Sequence, residues 1–507
     1  MGQTTIIIMI LTIISKLFGF IRESVMAAFI GAGELKSIYT TATTIPTMLA
    51  NVISLGIVSG FIPIYNKAKN EGGEERANIF TSNLINIILI YGVVALSIIF
   101  IFAGPICKIL SPDLAGDSLK LAINFTRIVI FSLFALLYSS IIKGYLNIKG
   151  NFVDPASTGI ILNIFIIIST ILTGIFKNPY ILVVGTFLAF TLQYVRFPFV
   201  AKKLGFKYIK KLDFSDAYVR SMLIIGIPVI ISSAADHISV LIDNSMASAF
   251  FGVSSVSKMF YAKTMLNFIM GVVTISVTTA TFPEIAKLGQ SGKIKEMKDK
   301  TISAVVLSML LVIPATFGMM ALSNPIIKLA FERNAFTTSD TDIVASVLVS
   351  YGPYIIFSSL IKILANAFYS VRDSKTPVII LLIQQIINLI MNIILSKIFG
   401  LNGLAYSTSV ATLICSVLLF ISFRKKLGDF KLKTTIKSLL KISIVSFLIC
   451  IIARLSFEFF ISTLPLILSI TVSVLLAGVI YLIGIILLKI PEFNYLISSV
   501  KKKISKK

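Results

Sequence analysis

The sequence has 507 residues, of which 56% are hydrophobic and 13% are charged, and its formal net charge is +24. A soluble protein of this length needs far more surface charge, so the composition excludes a soluble globular fold. Continuous apolar runs of about eighteen or more residues recur along the chain, and each can cross a bilayer core of roughly 30 Å. Because these runs do not alternate in polarity, they also exclude a transmembrane β-barrel and indicate an all-α polytopic membrane protein.

Apolar runs separated by polar and Gly/Pro-containing breaks predict fourteen membrane spans. In chain order they lie near residues 5–31, 37–65, 78–105, 118–146, 155–176, 180–200, 218–250, 256–284, 301–330, 343–370, 377–398, 403–423, 436–460 and 463–488.

The basic residues are distributed unevenly between the two sides of these spans. If the N terminus is cytoplasmic, most Lys and Arg fall in cytoplasmic segments, including 201–214, 287–300, 424–433 and the tail "KKKISKK". This asymmetry is the positive-inside rule, and it predicts that both termini are cytoplasmic. The positive charge therefore indicates topology and attraction to anionic lipid, and we expect no nucleic-acid partner.

The first and second parts of the chain resemble each other at an offset of 220 to 222 residues. "AAFIGAGELKSIY" (27–39) matches "SAFFGVSSVSKMFY" (248–261), "FIPIYNKAK" (61–69) matches "TFPEIAKLG" (281–289), and Pro155 matches Pro377. Three matches in order at one spacing indicate an internal duplication.

Six spans per repeat is an even number, so the two repeats enter the membrane in the same direction and are parallel. The predicted organisation is an N-lobe at 1–205, a C-lobe at 216–426, an additional helix pair at 433–489 and a basic cytoplasmic tail at 490–507. Two parallel six-helix bundles with a cavity between them are typical of a transporter.

Basic side chains inside the predicted spans are the clearest functional signal. The five that lie farthest from the ends of their spans are Lys16, Arg22, Arg127, Lys263 and Lys362. A charge at the bilayer centre costs roughly 2.5 kcal/mol or more, so these groups need a partner or a wet cavity. A cavity lined by several cations favours an anionic, phosphate-bearing substrate. The alternatives are a structural ion pair of Arg22 with Glu23, and snorkelling of Lys263 and Lys362 to the interfaces.

Oxygen-bearing side chains form a second group in the later spans. Asp243 lies in the seventh span, Asn388 and Asn392 are one turn apart in the eleventh, and Thr408 lies in the twelfth. Such ligands suit a hard cation. Hydrogen bonding between helices is the alternative role.

Four stretches together resemble the MurJ/MviN lipid II flippases, a family within the superfamily that includes multidrug exporters. They are "SKLFGFIRE" (15–23), "FIPIY" (61–65), "AFERNAFTTSDT" (330–341) and "IKILANAFYSVRDSKTPV" (361–378). The resemblance implies transport of an undecaprenyl-diphosphate-linked precursor from the inner to the outer leaflet of a bacterial plasma membrane. It also implies an alternating-access carrier with a cationic cavity, fourteen helices and no enzymatic activity.

The resemblance also implies roles for individual residues. Arg22 and Glu23 match the family's Arg–acid pair, Lys16 replaces an arginine found in some members, and Lys362 matches a family lysine. The sequence departs from the family at Asn51, where a cavity arginine is usual. The substrate-binding residues expected on this basis are Lys16, Arg22, Glu23, Asn51, Lys263 and Lys362. A sodium site is expected at Asp243, Asn388, Asn392 and Thr408, with Asn392 in place of an aspartate, and Na⁺ is the candidate coupling ion.

The leading hypothesis is a flippase for lipid II, with membrane lipids and the cell-wall synthesis machinery as further partners. A flippase for another undecaprenyl-diphosphate-linked oligosaccharide is the first alternative. An antiporter for small cationic molecules, like the MATE transporters, would need cavity carboxylates, whereas cations outnumber acids in these spans. A non-transporting membrane scaffold is the remaining alternative. An enzyme is not expected, because the sequence has no nucleophile–base pair, metal-ligand set or nucleotide-binding loop.

Overall fold

The computed structural model describes residues 2–428, 432–488, 490 and 493, and in this part of the chain all regular structure is helical. The predicted all-α membrane fold is confirmed. Ten of the described helices are long and apolar enough to cross a membrane, so the count of fourteen spans stays a prediction. Apart from residues 490 and 493, the predicted tail at 490–507 lies outside the described residues.

The chain divides into two compact units. Unit 1 contains Met1–Lys258 and Phe331–Thr337, and unit 2 contains Met259–Ala330 and Thr338–Lys507. The helices of unit 1 are α1 (Gly2–Ile30), α2 (Glu34–Ile101), α3 (Ala103–Leu110), α4 (Gly116–Val129), α5 (Leu133–Ile148), α6 (Val153–Phe176), α7 (Pro179–Leu192), α8 (Phe197–Lys203) and α9 (Ala217–Phe251).

Helix α10 (Ser254–Gln290) begins in unit 1 and continues into unit 2. The other helices of unit 2 are α11 (Ile294–Ala321), α12 (Ser323–Phe331), α13 (Thr338–Ser350), α14 (Gly352–Ser370), α15 (Lys375–Phe399), α16 (Leu401–Leu427), α17 (Leu432–Phe460) and α18 (Leu466–Leu487). Helix α9 packs in unit 1 although the repeat assigns it to the second half. Packing units and sequence repeats are different properties, so the predicted lobe boundaries stay a prediction.

Helix α2 is broken in its middle and supplies two of the predicted spans. Gly72 and Gly73 have non-helical backbone angles, and Gly73 has a φ of 71°. Only glycine adopts such a conformation without strain, so the "EGGEE" sequence turns the chain back between the spans at 37–65 and 78–105.

The distribution of polarity is that of a protein in lipid. Large apolar side chains are exposed along the helices, as with Phe459 at 70% and Leu487 at 73%, whereas Thr81, Ser82 and Asn83 are fully buried. Lipid tails solvate apolar side chains, so the interior is where hydroxyl and amide groups find hydrogen-bond partners.

Aromatic rings and glycines fix the packing of unit 1. Phe61 stacks on Phe80 with ring centroids 5.7 Å apart. Gly56 of α2 approaches α9 so closely that a Cβ on Gly226 would lie 2.8 Å from the Gly56 carbonyl oxygen. Small residues allow this backbone contact, as they do in other membrane helix pairs.

In unit 2 the additional helix pair packs on α11. The Tyr481 hydroxyl of α18 donates to the carbonyl of Leu310 at 2.6 Å, and the rings of Phe317 and Phe447 meet edge to face at 6.3 Å. Helices α17 and α18 are thus fastened to unit 2 by hydrogen bonding and by aromatic contact.

Candidate functional site

The first two helices bring three charged side chains together in unit 1. Helix α1 ends at Ile30 and α2 begins at Glu34, so the chain reverses over three residues. Gly31 makes this possible with a φ of 77°. The reversal lets Lys36 of α2 reach back to Glu23 of α1.

Glu23 is shared between two cations. Arg22 donates to Glu23 Oε1 from Nε at 3.0 Å and from Nη2 at 2.6 Å. Lys36 Nζ donates to the other oxygen, Oε2, at 3.0 Å. The side chains of Lys36 and Glu23 are 0% and 4% exposed, whereas that of Arg22 is 24% exposed. We call these three residues the Glu23 network; it carries one net positive charge, and only its arginine is accessible.

A tyrosine and a threonine support the lysine of this network. Lys36 Nζ lies 5.3 Å from the centroid of the Tyr39 ring, a cation–π distance. Thr186 of α7 donates to the Tyr39 hydroxyl at 3.1 Å. The Tyr39 ring is thus a second contact of the Lys36 ammonium besides the carboxylate.

Two further segments of unit 1 enclose the turn between α1 and α2. The N–H of Ala335 donates to the carbonyl of Ala28 at 3.1 Å, and a Cβ on Gly31 would collide with the Ala335 carbonyl. Ser257 donates from Oγ to the Ala32 carbonyl, and its N–H donates to Ser37 Oγ at 3.0 Å. The segment "FERNAFT" (331–337), part of the motif noted in the sequence, therefore packs on the turn that carries Lys36.

The structure pairs Arg22 with Glu23 as predicted, but it leaves Lys16 and Asn51 exposed on α1 and α2. Neither is part of the Glu23 network. Their roles in substrate binding stay predictions. Arg127 donates to the Phe100 carbonyl at 3.2 Å and its guanidinium lies 4.9 Å from the Phe100 ring centroid, contacts that fit a structural role.

The predicted residues of unit 2 form two separate groups. Lys263 lies over the ring of Tyr351 at 5.8 Å, and Lys362 is exposed on α14. Asn388, Asn392 and Thr408, which we call the amide cluster, do come together. Asn388 Nδ2 donates to Thr408 Oγ1 at 3.2 Å, and Asn392 Nδ2 donates to Asn388 Oδ1 at 3.4 Å.

The amide cluster tests the predicted sodium site. The side chains of the cluster, which would be the metal ligands in unit 2, are neutral. Two of their oxygens accept hydrogen bonds from neighbouring amides. The only carboxylate of the predicted ligand set, Asp243, is a buried residue of unit 1. The cluster by itself forms the interhelical hydrogen bonds that were the alternative to cation binding.

Lys36 is the member of the Glu23 network that the sequence analysis missed. It lies one position before the predicted second span and was therefore assigned to a loop. A signal was present, because Lys36 lies within the duplicated stretch, where Lys258 stands at the corresponding position. A charge retained in both copies next to a Gly turn indicates a position held by tertiary contacts.

A family model and curated relatives match this chain to the same family, and solved structures match its fold. The family model described as the lipid II flippase MurJ matches residues 26–475. A probable lipid II flippase MurJ of Rickettsia prowazekii is 29% identical over 81% of this chain and 81% of its own length. A solved structure of a lipid II flippase MurJ in an inward closed conformation has a TM-score of 0.81 at 24% identity, covering 94% of this chain and 98% of that one. An inward-facing multidrug resistance MATE family transporter of the MOP superfamily has a TM-score of 0.69 at 14% identity, covering 83% and 98%. At these identities the two structures show the fold alone.

Proposed function

The chain belongs to the MurJ family of lipid II flippases, and from this premise we propose that it translocates lipid II from the inner to the outer leaflet of its membrane. The family consists of transporters, so the chain is a carrier and not an enzyme. We assign it to the bacterial plasma membrane with both termini in the cytoplasm, where the basic segments favour that orientation. Membrane lipids and the cell-wall synthesis machinery are its proposed partners.

The observation that carries the mechanism is the Glu23 network. Lipid II presents a diphosphate, and a guanidinium pairs with phosphate oxygens through two parallel hydrogen bonds. Arg22 is the accessible member of the network, and the network has one positive charge in excess of its carboxylate. An anionic headgroup therefore finds both a geometric and an electrostatic partner at Arg22.

Lys36 gives this arrangement a second property. When Arg22 turns from Glu23 to a diphosphate, Glu23 keeps its hydrogen bond from Lys36, so no buried carboxylate is left without a counter-charge. When the substrate leaves, Glu23 Oε1 is again the partner of Arg22. Lys36 is thus a positioning residue that lowers the cost of exchanging Arg22 between its two partners.

The other cationic residues complete the proposal. Lys16, Lys263 and Lys362 would contact the remaining anionic and polar groups of the headgroup, and Asn51 would contribute a neutral contact where the family has an arginine. The exposure of Lys16 and Asn51 supports these two contacts. Movement of the carrier between inward-open and outward-open states would then deliver the headgroup to the other leaflet.

We also propose Na⁺ as the coupling ion, with the ligands that the family resemblance implies. Asp243, Asn388, Asn392 and Thr408 would offer carboxylate, amide and hydroxyl oxygens, which are the ligands that hard cations prefer. The burial of Asp243 and of both asparagines supports this assignment.

The proposed function is tested in bacterial cells depleted of their own lipid II flippase. We expect the wild-type chain to restore growth. It should also restore the amount of lipid II in the outer leaflet, measured as the lipid II that reacts with a membrane-impermeant reagent. Arg22→Ala removes charged hydrogen bonds worth roughly 1.5–3 kcal/mol, so we expect transport to fall on the order of tenfold or more. Arg22→Lys keeps the positive charge but cannot form two parallel hydrogen bonds to a phosphate, so we expect partial transport.

Lys120→Ala is the matched control, because Lys120 is 77% exposed and pairs only across the surface with Asp117 in the part of the chain described. It should transport like the wild type. If Arg22→Ala transports as well as Lys120→Ala, the role of the Glu23 network in binding is wrong. If the wild-type chain reaches normal membrane levels without restoring outer lipid II, the substrate is wrong, and another diphosphate-linked oligosaccharide becomes the leading candidate.

A further inference from the structure

A lysine-rich linker crosses one end of unit 1 as an irregular chain, and α2 holds it in place. The linker is residues 204–216, between α8 and α9. Four polar residues of α2 hold it: Asn78, Ser82, Asn83 and Asn86. Asn83 donates to the Asp213 carbonyl at 2.8 Å and accepts from the Asp213 N–H at 2.7 Å, and Asn86 donates to the Lys211 carbonyl at 2.8 Å. The linker is therefore a built surface with a fixed position.

The linker exposes apolar rings and chains beside its lysines. Tyr208, Leu212 and Phe214 are each more than half exposed. In a soluble protein most of this apolar surface would be buried. Aromatic and basic side chains together are typical of the membrane–water interface. The linker thus lies at the level of the lipid headgroups, on the cytoplasmic side in the predicted topology.

Two adjoining cavities lie under this linker, with volumes of about 770 and 760 Å³. They share Asn86, Leu89 and Tyr208. Their other apolar lining residues come from α2, α5 and the linker and include Ile85, Ile90, Val93, Phe134, Tyr138, Phe206 and Leu212. Their basic lining residues are Lys202, Lys207, Lys210 and Lys211. Together the cavities form one groove that is lined by apolar side chains of α2 and α5 and by lysines of α8 and the linker.

The apolar lining that α2 supplies extends along that helix. From Asn86 to Val93 the groove follows the helix for about 10 Å, at 1.5 Å per residue. Ile90 and Val93 are 39% and 52% exposed, and they lie within a predicted span, so their exposed surface faces the hydrocarbon of the bilayer. The groove is therefore open to a lipid chain along its length.

We propose that this groove binds an anionic glycerophospholipid of the leaflet beside the linker. Its phosphate lies among the lysines and one acyl chain lies along α2 toward Val93. Lys211 is engaged by Asp213 and Asp216 at 3.3 and 3.4 Å, so the headgroup is assigned to Lys202, Lys207 and Lys210. Basic pockets between membrane helices on the cytoplasmic side are the established chemistry for such headgroups. This lipid is a resident ligand, separate from the transported substrate.

The test uses the purified full-length chain and native mass spectrometry. Dioleoyl phosphatidylglycerol and dioleoyl phosphatidylcholine have the same acyl chains and differ in headgroup charge. We expect phosphatidylglycerol to bind at least tenfold more tightly. A lysine near anionic lipid contributes on the order of fivefold, so the triple variant Lys202→Gln, Lys207→Gln, Lys210→Gln should abolish the preference.

Two pairs of variants separate a specific site from general attraction. Val93→Trp fills the groove without changing charge and should weaken phosphatidylglycerol binding, whereas Val94→Trp, equally exposed but outside the groove, should not. Lys287→Gln, Lys295→Gln, Lys425→Gln removes three exposed lysines of unit 2 and should also leave binding unchanged.

Three results would overturn the proposal. They are equal binding of the two lipids, an equal loss in both lysine triples, and full displacement of phosphatidylglycerol by soluble glycerol phosphate. The first removes the role of charge, the second shows general electrostatic attraction, and the third shows a phosphate site that needs no lipid chain.

Discussion

In unit 1, Glu23 and Glu74 are each shared by two cations, and their surroundings differ. Glu23 accepts from Arg22 and Lys36 and is 4% exposed. Glu74, just after the glycine break in α2, accepts from two lysines and is 45% exposed. The charge stoichiometry is the same, but an exposed ion pair contributes about 1 kcal/mol or less, whereas loss of one partner from a buried pair costs roughly 3–5 kcal/mol.

The exposed group at Glu74 shows what such an arrangement does at a surface. Lys69 and Lys149 lie 2.7 and 2.8 Å from Glu74 Oε1, and the Tyr65 hydroxyl donates to Oε2 at 3.0 Å. These contacts join the two halves of the α2 break to α5. Glu74 thus fastens a turn, whereas the same stoichiometry at Glu23 leaves one excess positive charge in a largely buried network.

The largest expected effect tests this difference directly. Glu23→Gln leaves the buried Lys36 and the partly exposed Arg22 without a counter-charge, so we expect a loss of roughly 3–5 kcal/mol in the free energy of unfolding. Glu74→Gln, the control, should cost about 1 kcal/mol or less. Thermal unfolding of the purified variants, followed by the yield of monodisperse protein, gives the measurement. Equal midpoints for the two variants would show that burial does not distinguish the sites.

Lys36→Met tests whether the second cation matters for transport. The folded state should lose roughly 1.5–3 kcal/mol, the range for a hydrogen bond to a charged group. Outward transport should fall on the order of tenfold, because Arg22 becomes the only partner of Glu23. Lys36→Arg should restore both properties, and Lys149→Met at the exposed site should change neither. Normal transport by Lys36→Met would remove its positioning role.

Asn392→Asp adds a carboxylate to the amide cluster. It thereby gives a third carboxylate to compare with Glu23 and Glu74. With Asp243 retained, we expect Na⁺ to stabilise this variant by roughly 1.4 kcal/mol at a concentration of ten times its Kd. The unfolding midpoint measured in NaCl and in choline chloride at equal ionic strength reports the effect. Identical midpoints in the two salts would contradict a sodium site here.

The smallest effect concerns acid stability at Glu74. Hydrogen bonds from Lys149 and Lys69 lower the pKa of Glu74 from its ordinary value of 4.5 to about 2. The carboxylate therefore stabilises the fold above pH 4.5, and this contribution is lost as the pH falls toward 2. Because the group is exposed, the contribution is about 1 kcal/mol or less. Wild type and Glu74→Gln should differ in stability at pH 6 and converge near pH 2.

The sequence predicted those features that depend on local patterns. The membrane class follows from apolar runs, and the break in α2 falls between the predicted spans at 37–65 and 78–105. The ion pair of Arg22 with Glu23 was the structural alternative for a charge within a span. Lys36 was missed because its burial depends on the direction in which the turn at Gly31 sends the start of α2. That direction is a tertiary property and is not visible in the hydropathy of the second span.

Long-range docking was likewise beyond the sequence. The motif at 331–337 was recognised, but its packing on the turn after α1 depends on the close approach of Ala335 to Gly31. The linker was predicted only as a basic loop, whereas its path depends on hydrogen bonds between its backbone and side chains such as Asn83. The register of such bonds has no signal in composition or periodicity.

The hydrogen bonds between the linker and α2 also have a consequence for biosynthesis. Asn83 and Asn86 precede their backbone partners in the linker by 130 and 125 residues. Chains emerge from the ribosome N-terminal end first, so these asparagines enter the membrane before the linker is made. The polar residues of α2 that bind the linker are therefore present before the linker is made. Once the linker binds them, the position at which α9 begins is set by the earlier helices.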